Sequence, residues 1–595
     1  VSNNLLYSAK ICLNLTNSSY LCPMLREAIE IIPRCMRRRG AVVVATIFAR
    51  ALLNFVGLAV IVPVLVLILD GGSHLSPETP LGRAYTLSGF DSYASFTIAV
   101  CAAVIAVVAI KSLANILLCR IESRYIYDLY RRLSRSLFIR YHDRGLQFVK
   151  SSNSAVLARN INFVCLAAVT GILKPLSTIV CELMLVVLMF AAVALYSPAA
   201  ALLVAAVFLP SAWLYLSAVR NRLEHYGVEE NDAQRRKARI VAEALRGYAD
   251  MEVGNAFPQT MRRFENETKM ISEMRVRNTT LSMLPQAFTE LGIVFGMSAM
   301  IVADIGMDSD RLRLLFGILA VAALRLMPSI RNILNSWTSI RYNRYTLDIL
   351  REAGMDDEPA ETRTCTERLG LRQKIEVRGV SFRFDGAAAD TLHDMSLTIR
   401  RGERVGISGA SGAGKTTLFN LLLGLYTPGR GEILIDGVPL APDNRRAWQN
   451  TVGYVSQNVF ILDTTLAQNI ALADEPDKID RSRLDRALDA ADLREFVDSL
   501  PDGADTRIGE AGSRISGGQR QRIGIARALY RSCDVLMFDE ATSSLDERSE
   551  NNINDAIERL ARDNDGLTII IISHRRSTLE RCRRVITLTP NDRSI

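Results

Sequence analysis

The chain changes character near its middle. Six long apolar runs, at residues 41 to 69, 92 to 119, about 166 to 196, 198 to 219, 281 to 305 and 312 to 338, fill most of the first half. Each approaches or exceeds the ~20 residues a helix needs to cross a bilayer, so six spans are predicted. The third and fourth are parted only by Tyr196-Ser197-Pro198, which suits a tight turn between two spans. Two polar stretches, about 120 to 165 and 220 to 280, keep a helical period, with Tyr125, Leu129, Leu133 and Leu137 at four-residue steps. They predict helices that run on beyond the membrane. Ahead of the first span, Leu25 to Ile32 has the pattern of an amphipathic helix lying on the inner leaflet. The second half alternates short apolar runs with turn residues, the mark of buried strands, and predicts an α/β domain. The expected division is 1–40 N-terminal segment, 41–345 transmembrane domain, 346–372 linker and 373–595 α/β domain.

Charge orients the spans. Arg34, Arg37, Arg38 and Arg39 precede the first, Arg120, Arg124, Arg131, Arg132 and Arg135 follow the second, and Arg220, Arg222, Arg235, Arg236 and Lys237 follow the fourth. The opposite loops carry Asp70, Glu78, Asp91, Asp304, Asp308 and Asp310 instead. By the positive-inside rule the N-terminus, both polar stretches and the C-terminal domain are cytoplasmic. The net charge of +8 therefore points to anionic lipid beside the spans and away from nucleic acid. The 10 cysteines stand singly, without metal-ligand spacing, as in a reduced protein with no disulfide framework.

Gly409-Ala410-Ser411-Gly412-Ala413-Gly414-Lys415-Thr416 follows an apolar run, Glu403 to Ser408, and precedes a helical pattern from Thr417 to Leu423. That spacing turns successive backbone N–H groups inward around phosphate oxygens. Lys415 then reaches the β- and γ-phosphates, Thr416 holds Mg²⁺, and the helix N-terminus adds partial positive charge. A second apolar strand, Val535 to Phe538, ends in Asp539 and Glu540. Asp539 is placed to support Mg²⁺ and Glu540 to polarise water for attack on the γ-phosphate. ATP and Mg²⁺ are the implied cofactors.

Ile515-Ser516-Gly517-Gly518-Gln519-Arg520-Gln521-Arg522 closely resembles the signature sequence of ABC transporters, and the resemblance extends across about 375 to 589. It implies Phe384 stacking on adenine, Gln457 as the loop glutamine near Mg²⁺, Ser543 to Asp546 as the D-loop and His574 as the switch histidine. Thr506 to Gly512 looks like the exporter segment that touches intracellular loops. The nucleotide ligands implied are Phe384, Gly409, Ser411, Gly412, Gly414, Lys415, Thr416, Thr417, Ser516, Gly517, Gly518, Gln519 and Asp546. The metal would be held by Thr416, Gln457 and Asp539, and catalysis carried by Glu540, His574 and Gln457. Ile515 and Phe384 replace the commoner Leu and Tyr with side chains of similar shape. Because the family sandwiches ATP between one copy's cradle and the other's signature, the resemblance implies a homodimer. The fold class expected is an α-helical six-span transmembrane domain with long cytoplasmic helical extensions, followed by an α/β P-loop ATPase domain.

Ionisable groups within spans point toward substrate. Arg325, Ser329, Asn332 and Ser336 share one helical stripe of the sixth span. Arg325 lies roughly 20 Å from the start of that span, and Arg331 points elsewhere. Lys174, Glu182 and Glu290 either pair between helices or meet substrate. Outside, Pro80 to Phe90 predicts a short helix with Leu81, Tyr85 and Ser88 aligned. This segment, Leu324 to Ser329 and Ile340-Arg341-Tyr342 resemble the bacterial lipid-linked oligosaccharide flippase branch of the family. The branch implies ATP-driven flipping of a polyprenyl-pyrophosphate-linked oligosaccharide across the bacterial cytoplasmic membrane. The alternatives are an exporter of amphipathic drugs, lipids or peptides, and a non-transport ATPase with a membrane anchor.

Overall fold

The computed structural model describes residues 32–60, 80–90, 92–196, 198–304, 310–354, 365–472, 475–509, 515–541, 547–563 and 566–589. The expected helix at 25–32 falls almost wholly outside them, as do the later part of the first span and the D-loop. The chain divides into two compact units, one reaching Ala360 and the other starting at Glu361, with Gly145–Phe148 grouped with the second.

Among the described residues the first unit is helical. Its long helices are α1 (Arg34–Ala59), α3 (Tyr93–Asp143), α4 (Lys174–Tyr196), α5 (Pro198–Arg246), α6 (Phe257–Asp304) and α7 (Asp310–Tyr342), and a short α2 (Pro80–Ser88) precedes α3. Among the described residues, each predicted span is helical. Among the described residues, Cys35–Gly57, Ala94–Asp143 and Ser154–Leu195 are long and apolar enough to cross a membrane. The polar stretches continue α3 to Asp143, α5 to Arg246 and α6 from Phe257, with shorter helical pieces at Gly145–Ser151, Ser154–Arg159 and Tyr248–Val253 between them. The stripe Leu129, Leu133 and Leu137 is buried, whereas Ile98, Ile105, Ile110 and Ile116 of the apolar part of α3 stand exposed. That inversion fits a helix whose upper part meets lipid and whose lower part meets protein. α5 and α6 run alongside one another, and α7 packs on α4, α5 and α6. Two π-helical turns, Asn160–Val164 and Val169–Leu173, lead into α4.

Among the described residues the second unit contains two sheets. β1 (Lys374–Phe382), β2 (Leu392–Arg400), β4 (Arg430–Ile435) and β5 (Val438–Pro439) form an antiparallel sheet of order β2-β1-β4-β5. β6 (Val452–Val455), β7 (Val535–Asp539), β8 (Thr568–Ile572), β3 (Arg404–Gly409) and β9 (Arg584–Leu588) form a parallel sheet of order β6-β7-β8-β3-β9. Every residue of β7 and β8 is buried, which explains their unbroken apolar sequence: a parallel strand covered on both faces has no polar side. Helices α8 (Lys415–Leu422), α9 (Leu466–Ala471), α10 (Gly517–Tyr530), α11 (Glu547–Asp563) and α12 (Arg576–Glu580) complete the elements used below. α8 belongs to one apolar cluster with β3, whereas α10 contributes Ile523, Ile525 and Ala526 to another.

Candidate active site

In an open parallel sheet the carboxyl ends of the strands are where ligands bind. Four adjacent strands here, in the order β6, β7, β8 and β3, end in Gln457, Asp539-Glu540, His574 and the glycine loop respectively. The parallel register, with Asp539 opposite Ile572 and Ile407 opposite Ile572, brings these ends level.

The loop between β3 and α8 is shaped by positive φ. Gly409 has φ +152°, and a Cβ there would meet the Leu588 carbonyl oxygen at 2.5 Å. Gly414, at φ +88°, is the N-cap of α8, and its Cβ would meet Leu392 Cδ2 at 2.7 Å and the Thr391 carbonyl oxygen at 3.1 Å. Lys415 Nζ donates to the carbonyl oxygens of Gly409 at 2.9 Å and Ala410 at 3.0 Å, so the side chain curls over the loop. Ser411 and Gly412 face solvent, and the N–H groups of the first turn of α8 have no intrahelical partner. The Thr417 side chain is buried, so only its backbone N–H is available in that first turn. Thr416 Oγ1 donates to Asp539 Oδ1 at 3.4 Å. A hydroxyl and a carboxylate side by side are hard oxygen donors, the set Mg²⁺ takes when phosphate oxygens and water complete its shell. Among the described residues no group of three His, Cys, Asp or Glu forms a metal cage of its own. The cradle and this donor pair thus fit Mg²⁺ bound together with a nucleotide.

Glu540 is the centre of the remaining machinery. Gln457 Nε2 donates to its Oε2 at 2.8 Å, and His574 Nε2 lies 3.0 Å from its Oε1. Glu540 has φ +51°, an uncommon conformation for a side chain of this type, held by its N–H donating to the Ile572 carbonyl oxygen at 3.0 Å. The turn out of β7 thereby aims the carboxylate sideways toward β6 and β8. Tyr454 on β6 is an addition that the motifs did not reveal. Burial pushes its phenol up, and the adjacent Asp539 carboxylate, to which it hydrogen-bonds, pushes it further. The signal was present as a tyrosine three residues before Gln457, yet its partner depends on the β6–β7 register.

Phe384 is exposed and meets Phe382 and Tyr426 edge-on, at 5.0 Å and 5.7 Å between centroids. Phe382 and Tyr426 are stacked on each other. That support keeps the Phe384 ring open for a planar base. Ser516 caps α10 in a capping box: its Oγ accepts from Gln519 N at 3.2 Å, and Gln519 Oε1 accepts from Ser516 N at 2.8 Å. The Gln519 side chain is occupied in building the helix start, while exposed Ser516 and Gly517 present that start to an anion. Asp546 lies outside the described residues.

The stripe on α7 is turned inward. Ser329 and Ser336 are buried, and Asn332 Nδ2 donates to Glu182 Oε1 of α4 at 2.9 Å. Glu182 is thus paired between helices, and Glu290 accepts from Gln286 of its own helix at 2.9 Å. Lys174 is exposed, Arg331 is half-buried, and the Arg325 side chain lies outside the described residues. A further polar cluster ties α1, α3 and α4: Arg50 Nη1 donates to buried Glu122 at 2.5 Å, Ser177 donates to the other Glu122 oxygen, and Asn115 Nδ2 donates to Asn54 at 2.8 Å. Charge counts along the sequence place Arg50 and Glu122 on separate elements and do not pair them.

Residues 392–543 match the family model described as ABC transporter. The ATP-dependent lipid A-core flippase of Bordetella avium is 33% identical over 427 residues, 71% of this chain and 71% of that protein. The protein of the same name from Paraburkholderia xenovorans is 29% identical over 497 residues, covering 82% and 81%. That from Burkholderia orbicola is 34% identical over 389 residues, and the chain spans 64% of its length. A bacterial Atm1-family ABC exporter solved with ATP bound superposes with a TM-score of 0.75 at 22% identity, covering 94% of each chain.

Proposed function

This chain belongs to the ABC transporter family, and from that premise we propose that it is one half of an ATP-driven exporter that turns a phosphorylated glycolipid over in the bacterial cytoplasmic membrane. The observation that carries the proposal is the gathering of Gln457, Glu540 and His574 within hydrogen-bonding reach, beside a glycine cradle and the Thr416–Asp539 pair. Phosphoryl transfer to water needs positioning and charge stabilisation more than covalent chemistry. Magnesium, when bound, draws charge from the phosphate oxygens. Thr416 and Asp539 would hold it, Lys415 would exchange its loop carbonyls for the terminal phosphates, and Phe384 would carry the base. Glu540 orients and polarises the attacking water, with its carboxylate steadied by Gln457 and His574. A second copy supplies Ser516, Gly517 and Gly518 across the nucleotide, so closure of two chains is driven by ATP and undone by hydrolysis. Coupled to the helical half, that cycle alternates access to the two leaflets.

The names of the relatives support a lipid-linked glycan as cargo. A polyprenyl-pyrophosphate-linked oligosaccharide is the second reading, and it is favoured by the external helix α2, whose Tyr85 packs on Phe96 of α3 at 5.1 Å. Both cargoes are anionic, and Arg325 and Arg331 of α7 are the side chains we assign to their phosphates. The test is ATP-dependent translocation in proteoliposomes, with a lipid A-type glycolipid and a polyprenyl-pyrophosphate glycan offered separately. Glu540→Gln is expected to abolish movement and to trap two chains around Mg·ATP. Stimulation by amphipathic drugs and by neither glycolipid would overturn the proposal.

A further inference from the structure

β8 runs into Ser573 and His574, and the chain then turns into α12. This turn is fastened to α11 by one buried carboxylate. Glu550, 4% exposed, receives Arg575 on one oxygen and the buried Thr578 hydroxyl on the other, the latter at 2.7 Å. Arg575 and Thr578 are the residues one and four places after His574. Ser573 Oγ accepts from Arg575 N at 3.0 Å, which tightens the same turn. One helical turn further on, Arg581 reaches Asp555 at 2.8 Å and Asn551 at 3.2 Å of α11. The segment that carries His574 is therefore clipped to α11 at successive turns, and Glu550 is the clip nearest the histidine.

A buried carboxylate is costly unless both its oxygens are satisfied, and here both partners come from the one segment. Arg581 with Asp555 already joins the same two segments by a more exposed pair. We propose that Glu550 is a positioning residue for ATP hydrolysis: by fixing Arg575 and Thr578 it fixes the His574 backbone, and so the 3.0 Å approach of His574 to Glu540. The proposal rests on the ATPase reading above. Glu550 is buried behind the turn, with Arg575 and Thr578 as its partners. It acts through His574 alone.

Steady-state ATPase of the full chain in nanodiscs tests this. Residues that orient a catalytic side chain from behind typically cost ~10- to 100-fold in activity when removed. Glu550→Ala is expected to lower kcat by about that factor with KM for ATP changed by less than about threefold, because the cradle is untouched. Glu550→Gln, which keeps an acceptor for Thr578, is expected to recover part of the loss. In a His574→Ala background Glu550→Ala is expected to cost nothing further, as befits two residues acting as one unit. Thr578→Val, nearly isosteric, gives the same comparison should Glu550→Ala fail to fold. Losses that multiply in the double variant, a rise in KM with kcat intact, or wild-type kcat in both single variants would overturn the proposal. Absence of ATPase in the wild-type chain would instead sink the reading of the site itself.

Discussion

Gly412 and Gly414 stand two residues apart in the same loop, yet alanine should weigh on them unequally. Both have positive φ, +83° and +88°, where an L side chain costs ~1–2 kcal/mol. At Gly412 nothing lies within 4 Å of the added Cβ, so the backbone term stands alone. At Gly414 the methyl would lie 2.7 Å from Leu392 Cδ2 and 3.1 Å from the Thr391 carbonyl oxygen. Leu392 is buried against the antiparallel sheet and has little room to retreat, so overpacking adds ~1–3 kcal/mol. Gly414→Ala is thus expected to destabilise the unit by about 2–5 kcal/mol and Gly412→Ala by about 1–2. At ~2–4 °C per kcal/mol for a unit of this size, the two unfolding midpoints separate by at least a few degrees. Trp448 is a built-in reporter, since its buried indole N–H donates to the carbonyl oxygen of Leu422 at the end of α8, at 2.7 Å. With Trp213→Phe and Trp337→Phe removing the other tryptophans, thermal unfolding of the nucleotide-free chain followed by Trp448 fluorescence gives both midpoints. Coincident midpoints, or a larger loss at Gly412, would refute the assignment of steric closure to Gly414.

Arg50→Met leaves the Glu122 carboxylate buried and unbalanced, and is expected to destabilise the helical unit by ~3–5 kcal/mol, read as a lower unfolding midpoint of the detergent-solubilised chain. Arg50→Met combined with Glu122→Gln should regain most of it; a double variant no better than the single would show that the pair is incidental. Burial pushes the Cys533 thiol up to about 11 from an ordinary 9.0. The unfolded thiol then ionises first, so this group leaves stability unchanged below pH 9 and subtracts from it as pH rises from 9 to 11. Midpoints measured across that interval should fall more steeply for wild type than for Cys533→Ser, and parallel curves would contradict the burial.

Sequence alone determined what depends on neighbouring residues and on period. A glycine loop between a strand and a helix, a serine with glutamine three places on, six runs long enough for a bilayer, and a leucine stripe every fourth residue each carry their structure locally. α8, the capping box of α10, the long helices and the buried side of α3 follow from them. Only tertiary structure decided which distant groups meet. The α7 stripe showed that Ser329, Asn332 and Ser336 share a face, but a helical period says nothing of what a face looks upon, and the fold turns it toward Glu182 of α4. Likewise Tyr454 with Asp539, Arg50 with Glu122, and Glu550 with the turn after His574 arise from strand order, register and helix packing. Those pairings are relations between elements far apart along the chain, and the energy that selects them is the burial of whole sheets and helices, which no single stretch of residues contains.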